Sequence, residues 1–124
     1  MITSAVHHVS FSVDDLEAAC GFYEGVLGLE RIARPDFGGL PGAWLQTGAT
    51  QIHLIQKPPG SDTGAPPSKT SPLANHCAFS VEDYEKTRDH LVASGLDVLE
   101  TNPDAGQMWV SDPSGNVIEF TTAR

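Results

Sequence analysis

Polar and apolar residues alternate over residues 6–13, and this alternation predicts a β-strand with one buried face. Apolar residues then recur at helical spacing, with Asp14 or Asp15 as the N-cap and Gly28 as the C-cap. Three short strands are predicted to follow, near residues 30–34, 42–47 and 50–56. The first part of the chain therefore predicts the order strand, helix, strand, strand, strand.

The second part of the chain predicts the same order. A strand is expected at residues 75–81, and Asp83 is the N-cap of a helix that ends at Ala93 or Ser94, before Gly95. The remaining strands are expected near residues 97–101, 106–111 and 116–122, with a hairpin turn at residues 112–116.

These two parts are related by an internal repeat. Residues 8–15 read HVSFSVDD and residues 76–83 read HCAFSVED, with five identical positions at an offset of 68. Two later pairs of segments match at offsets of 67 and 66, namely 27–30 with 94–97 and 51–54 with 117–120. Three ordered matches with a slowly drifting offset indicate two copies of one module of roughly 50 residues.

Between the copies, residues 57–72 contain five prolines and two glycines, which exclude regular structure and predict an extended linker or flap. We therefore expect one domain over residues 1–124. Its parts are module one at 5–56, the linker at 57–73 and module two at 74–123.

Strand parity places four chemically active side chains on equivalent faces. Because alternate residues of a strand share a face, His8 and His53 lie opposite the apolar side of module one. His76 and Glu119 take the equivalent positions in module two, and the intervals are alike, at 45 and 43 residues. If the modules pair about a pseudo-two-fold axis, these side chains converge. Three imidazoles and one carboxylate are typical of a divalent-metal site that keeps positions open to water or substrate.

Other residues share these faces without an equally clear role. Ser10, Ser12 and Ser80 either orient ligands or substrate, or simply face water. Trp44, Met108 and Trp109 either line an apolar pocket or pack in the core. His7 has the opposite parity to its neighbour His8, so we do not expect it to be a ligand.

The composition of the chain argues against several classes of binding partner and setting. The chain has 124 residues, and a formal net charge of −9 argues against nucleic acid and acidic membranes as partners. No apolar stretch approaches the 18 residues of a membrane span, and the N-terminal residues do not resemble a signal peptide. Cys20 and Cys77 form no disulfide framework, so we expect a reducing, cytoplasmic setting.

Several segments resemble the vicinal oxygen chelate superfamily, which includes glyoxalase I, bleomycin-resistance proteins and extradiol dioxygenases. The matching segments are residues 8–16, 22–29, 42–48, 52–54 and 112–120. The resemblance implies an α+β fold, the glyoxalase fold, in which two βαβββ modules pair into an open β-barrel-like cleft. It also implies that His8, His53, His76 and Glu119 are metal ligands. Substrate contacts are suggested for Arg34 and Gln107 by family position alone.

The resemblance further implies a metal-dependent lyase or isomerase that acts on a small oxygenated substrate by bidentate chelation to Zn, Ni, Fe, Co or Mn. Glyoxalase I usually carries Glu or Gln where this chain has His53, so that specific activity does not transfer directly. Glu119 is the candidate for proton transfer if it is more than a ligand. The alternative is a bleomycin-resistance-type protein that sequesters a small molecule. Open sheet edges and the resemblance both favour a homodimer.

Overall fold

A computed structural model of the chain describes residues 1–36 and 39–122. The chain divides into two compact units, Met1–Gly64 and Ala65–Arg124. The division falls inside the predicted linker, whereas residue 123, the expected end of module two, lies outside the described residues.

The first unit contains a four-stranded sheet. Its elements are β1 His8–Val13, α1 Leu16–Cys20, a π-helical segment Gly21–Val26, β2 Glu30–Ile32, β3 Gly42–Thr47 and β4 Thr50–Gln56. The strands are ordered β1-β4-β3-β2, with β1 parallel to β4 and the other pairs antiparallel. The predicted order of elements in this unit is confirmed.

Local contacts explain the helical segment of the first unit. Asp15 begins α1, because its side chain accepts hydrogen bonds from two backbone N–H groups of the first turn. Towards the end of the helical segment the hydrogen bonds follow the π-helical pattern. There the Leu27 N–H donates to the carbonyl of Phe22, five residues earlier, at 2.9 Å. Gly28 then takes a positive φ of 77° and ends the segment, as the sequence predicted.

The second unit repeats this plan with one strand fewer. Its elements are β5 His76–Ser80, α2 Tyr84–Ala93, a 3₁₀ turn Pro103–Ala105, β6 Gln107–Ser111 and β7 Val117–Thr121. The strands are ordered β5-β7-β6, with β5 parallel to β7 and β6 antiparallel to β7. Asp83 caps α2 and Gly95 follows it with a φ of 87°, both as predicted.

The strand predicted at residues 97–101 is wrong. In this described part of the chain only Leu99 bridges to the sheet, through two reciprocal 2.9 Å backbone hydrogen bonds with Trp109. The pairing stops because Asn102 starts a turn, in which its side chain accepts a hydrogen bond from the Asp104 N–H at 3.1 Å. Pro103 lacks an N–H and disfavours helical conformations at Asn102, so the chain leaves the sheet edge here.

Each sheet has one apolar face and one face with polar residues, and α1 packs against β3 and β4 of the first sheet. In the first unit the core includes Val13, Tyr23 and Leu54, and the Tyr23 ring stacks on Phe11 with centroids 5.7 Å apart. In the second unit the fully buried side chains include Leu91, Met108 and Ile118. The remaining faces of the two sheets hold the predicted site residues. Within the described residues, no helix has the length and apolar character that crossing a bilayer requires.

Candidate functional site

Three aromatic rings form a row across the first sheet. Trp44 on β3 lies directly opposite His53 on β4, and His8 on β1 is the diagonal neighbour of His53. The Trp44 and His53 rings stack with centroids 4.1 Å apart and planes 1° apart. On the other side of His53, the His8 ring stacks at 4.0 Å and 14°. We call these three residues the first row.

His53, at the centre of the first row, is only 6 % exposed. Its Nε2 atom lies 2.8 Å from Oε1 of Gln51, two residues earlier on the same strand face. Burial lowers the pKa of His53, and the nearby charges of His8, His7 and Arg34 lower it further. Both effects favour the neutral imidazole, which is the form that binds metal ions.

Arg34 lies beside the first row and packs over Gly42, where the Leu54 carbonyl also comes close. A Cβ atom on Gly42 would lie 3.0 Å from Cζ of Arg34 and 3.1 Å from its Nε. The guanidinium donates a 2.9 Å hydrogen bond to the carbonyl of Leu40. Arg31 faces the opposite way and pairs with Glu24 at 2.6 Å. Of the two arginines of this unit, Arg34 is thus the one on the face of the first row.

The second sheet carries an equivalent row. Trp109 on β6 and Glu119 on β7 are directly opposite, and His76 on β5 is the diagonal neighbour of Glu119. Nε2 of His76 lies 3.0 Å from Oε1 of Glu119, whose side chain is 8 % exposed. The His76 ring meets the Trp109 ring edge-on, with centroids 6.4 Å apart. We call Trp109, Glu119 and His76 the second row.

The second row has the donor chemistry of a metal site. Nδ1 of His76 lies 2.7 Å from the carbonyl oxygen of Ala74, so this nitrogen must carry a proton. The second nitrogen of His76 then faces a carboxylate oxygen of Glu119. Gln107 holds the other oxygen of Glu119 through a 3.2 Å hydrogen bond from its amide. In the chain without metal, a proton on Nε2 bridges this contact, and a divalent cation could take the place of that proton because each group is oriented from behind by a hydrogen bond.

The two rows are copies of one arrangement. Their tryptophans are 65 residues apart, their central residues 66 and their outer histidines 68. The difference between the rows lies at the centre, where the first has the imidazole of His53 and the second the carboxylate of Glu119. The sequence repeat already contained the tryptophan match, but strand pairing was needed to show that each indole lies opposite a predicted ligand.

The other predicted residues have different outcomes. Ser10 is directly opposite His53, and Ser80 shares the face of His76. Met108 is fully buried on the opposite face from Trp109, which favours core packing, the second of the two alternatives for this residue. His7 precedes β1, with its Nδ1 2.9 Å from Nδ1 of His8.

Within each unit, the described residues contain no group of three His, Cys, Asp or Glu side chains able to hold one ion. The structure thus brings the predicted ligands together as two pairs, His8 with His53 and His76 with Glu119. A single four-ligand site stays a prediction. Gln51, which contacts His53, is not among the predicted site residues, although its position two residues before His53 places both on one strand face.

Comparisons with known proteins agree with this architecture. The sequence pattern of the Glyoxalase/Bleomycin resistance protein/Dioxygenase superfamily matches residues 5–120. "Glyoxylase I 4" of Arabidopsis thaliana is 30 % identical over 124 residues, which cover 94 % of this chain and 70 % of that relative. Metallothiol transferase FosB of Staphylococcus epidermidis is 29 % identical, with 98 % and 84 % covered. The crystal structure of a glyoxalase family protein from Bacillus anthracis superposes with a TM-score of 0.80 and 26 % identity, with 97 % and 95 % covered.

Proposed function

Because the chain belongs to the Glyoxalase/Bleomycin resistance protein/Dioxygenase superfamily, we propose that it is a metal-dependent, glyoxalase-like lyase or isomerase. Its substrate in this proposal is a small molecule with two adjacent oxygen atoms. The observation that carries the proposal is the second row, in which His76 and Glu119 face each other at 3.0 Å, each held from behind. One relative is itself named a metallothiol transferase, which also favours a metal.

The proposed ligands of a single divalent ion are His8, His53, His76 and Glu119. Their equivalent places in the two repeats support this set, and the His8 and His53 rings, which stack face to face with centroids 4.0 Å apart, would have to separate for both to reach one ion. Imidazole and carboxylate ligands suit Zn, Ni, Fe, Co or Mn. When bound, such an ion acts as a Lewis acid that polarises adjacent substrate oxygens.

The protein's own residues have separate proposed roles. Glu119 is the catalytic residue, since it carries the carboxylate of this set and can take a proton from the substrate. Trp44 offers an apolar surface to the substrate, while Ser10 and Ser80 offer hydroxyl groups. Gln107 donates a hydrogen bond to Glu119, and we propose that it also binds the substrate.

Arg34 gives the proposed substrate a charge preference. Its guanidinium lies on the face of the first row, close enough to lower the pKa of His53. A guanidinium there favours a substrate with an anionic oxygen. Arg31 is occupied by Glu24, so the first unit offers one arginine on this face rather than two. This supports a substrate of low charge rather than one with several carboxylates.

The test begins with elemental analysis of the purified full chain. About one divalent ion per chain is expected, and His76→Ala or Glu119→Ala should each remove it. His90→Ala, in helix α2, is the matched control and should retain the ion. Retention of the ion in both site variants would contradict the ligand set.

A screen of small dioxygenated compounds with the loaded protein then separates the enzyme from a binding protein. Turnover that is lost in Glu119→Ala supports the enzyme, whereas tight binding without turnover indicates sequestration.

We further propose a homodimer, because each sheet has two edge strands, β1 and β2 in the first and β5 and β6 in the second.

A further inference from the structure

We propose that a cleft at the outer edge of β6 binds a small zwitterion of amino-acid size, with its carboxylate at Lys69 and its ammonium group at Asp97. The cleft has a volume of about 460 Å³ and lies entirely within the second unit. It is lined by residues 68–70 of the linker, by residues 97–99 and by Ser111 of β6. No residue of the first or second row lines it, so this site is separate from the proposed metal site.

The cleft opens where the pairing of β6 with the preceding segment stops. Leu99 and Trp109 exchange two backbone hydrogen bonds of 2.9 Å. Continued antiparallel pairing would place Asp97 opposite Ser111, but within the described residues this second bridge is not formed. Since residues two apart on a strand direct their backbone groups to the same edge, the N–H and carbonyl of Ser111 point to the cleft. A ligand there meets a main-chain donor and acceptor as well as side chains.

The linker side of the cleft is held against the β6–β7 hairpin by two contacts. The hydroxyl groups of Thr70 and Ser111 are hydrogen bonded, with their oxygen atoms 2.6 Å apart. Four residues earlier, Pro66 packs on Gly115, where an added Cβ atom would lie only 2.8 Å from Cβ of Pro66. Because the linker is attached on both sides of Lys69, this residue belongs to a defined wall of the cleft.

The charges of the cleft indicate the class of ligand. Lys69 and Asp97 are both exposed, and in the described part of the chain neither forms an ion pair, with the other or with any third residue. A ligand with a carboxylate and an ammonium group satisfies both charges, whereas a simple anion is repelled by Asp97 and by the net charge of −9. Val98 and Leu99 are half-buried and offer an apolar surface to a ligand side chain.

The test follows the amide signals of Leu99 and Ser111 in ¹H–¹⁵N correlation spectra of the full chain. Three probes separate the charges: L-leucine carries both, N-acetyl-L-leucine only the negative one and L-leucinamide only the positive one. Leucine should saturate both signals with a dissociation constant of about 1 mM, as expected for so small a ligand in an open cleft. Each singly charged probe should bind roughly two- to fivefold more weakly, which is the effect of losing one exposed ion pair.

Charge-removing variants then assign each end of the ligand. Lys69→Ala should weaken leucine roughly two- to fivefold without weakening leucinamide, and Asp97→Ala should do the same without weakening N-acetyl-leucine. Lys86→Ala and Asp104→Ala remove exposed charges outside the cleft and are the matched controls, with no change expected.

Three results would overturn the proposal: no shift of Leu99 and Ser111 with leucine at about 10 mM, tenfold above the expected dissociation constant, equal affinity for the three probes, or unchanged leucine binding in both Lys69→Ala and Asp97→Ala. The outcome is independent of the proposed function, because His76→Ala, which should lose the metal ion, should still bind leucine.

Discussion

Replacing Asp112 with alanine should destabilise the chain more than its place in a surface turn suggests. Asp112 begins the turn between β6 and β7 and is only 5 % exposed. Its Oδ1 accepts hydrogen bonds from the backbone N–H groups of Ser114 at 2.9 Å and Asn116 at 2.8 Å. Its Oδ2 accepts a third bond from the Asn116 side chain at 2.9 Å. The turn thereby fixes the start of β7, the strand that carries Glu119.

The magnitude follows from these bonds. A hydrogen bond to a charged acceptor contributes about 1.5–3 kcal/mol, and a buried donor left without a partner costs about 1–3 kcal/mol. Ser114 and Asn116 are half-buried, so water partly replaces the lost carboxylate. We therefore expect Asp112→Ala to lower the free energy of unfolding by roughly 2–4 kcal/mol, less than the sum of three independent bonds.

The assay is urea unfolding monitored by circular dichroism, with Asp15→Ala as the control. Asp15 also accepts two backbone hydrogen bonds, from Glu17 and Ala18, but it is exposed. Loss of such an N-cap costs about 1 kcal/mol. The reasoning is refuted if Asp112→Ala costs no more than Asp15→Ala, because burial would then add nothing to the value of the carboxylate.

Two further predictions use other contacts. The chain has two tryptophans, each opposite a proposed ligand, so cobalt(II) should quench the intrinsic fluorescence. Quenching should persist in Trp44→Phe, where Trp109 remains, and in Trp109→Phe, where Trp44 remains. If cobalt(II) does not quench the remaining tryptophan of a variant, the row that contains this tryptophan does not bind the ion. Burial and the hydrogen bond to Glu100 raise the pKa of Tyr84 to about 12. Since the folded state favours the neutral phenol, stability should fall as the pH rises from about 10 to 12. Tyr84→Phe should remove that fall in urea unfolding, and an unchanged pH profile would contradict it.

The strand faces could be predicted from the sequence because parity is a local property. The alternation around His8 and around His53 was enough to place both residues opposite the core, and the structure confirms it. The repeat added the equivalence of the two modules. Caps at Asp15 and Asp83 were predictable for the same reason, since a cap depends on three or four neighbouring residues.

What the sequence could not provide depends on register. That Trp44 lies against His53, and Trp109 opposite Glu119, follows from which residues pair across strands, and no local pattern encodes that choice. The strand predicted at residues 97–101 is wrong. Its apolar residues suit a strand, but the turn at Asn102 competes with strand pairing. The contact between Gln51 and His53 required atomic positions.

The parallel strand pairs link the candidate site to folding. β1 pairs with β4, and β5 with β7, across an intervening helix and further strands, so each row joins residues 45 or 43 positions apart. Such non-local pairing is slow to form and does not persist in an unfolded chain. A ligand that requires these rows therefore binds the native state alone. At a hundred times its dissociation constant it would add about 2.7 kcal/mol to the free energy of unfolding. Occupancy of the rows would then raise the thermal midpoint and lengthen the lifetime of the protein against proteolysis.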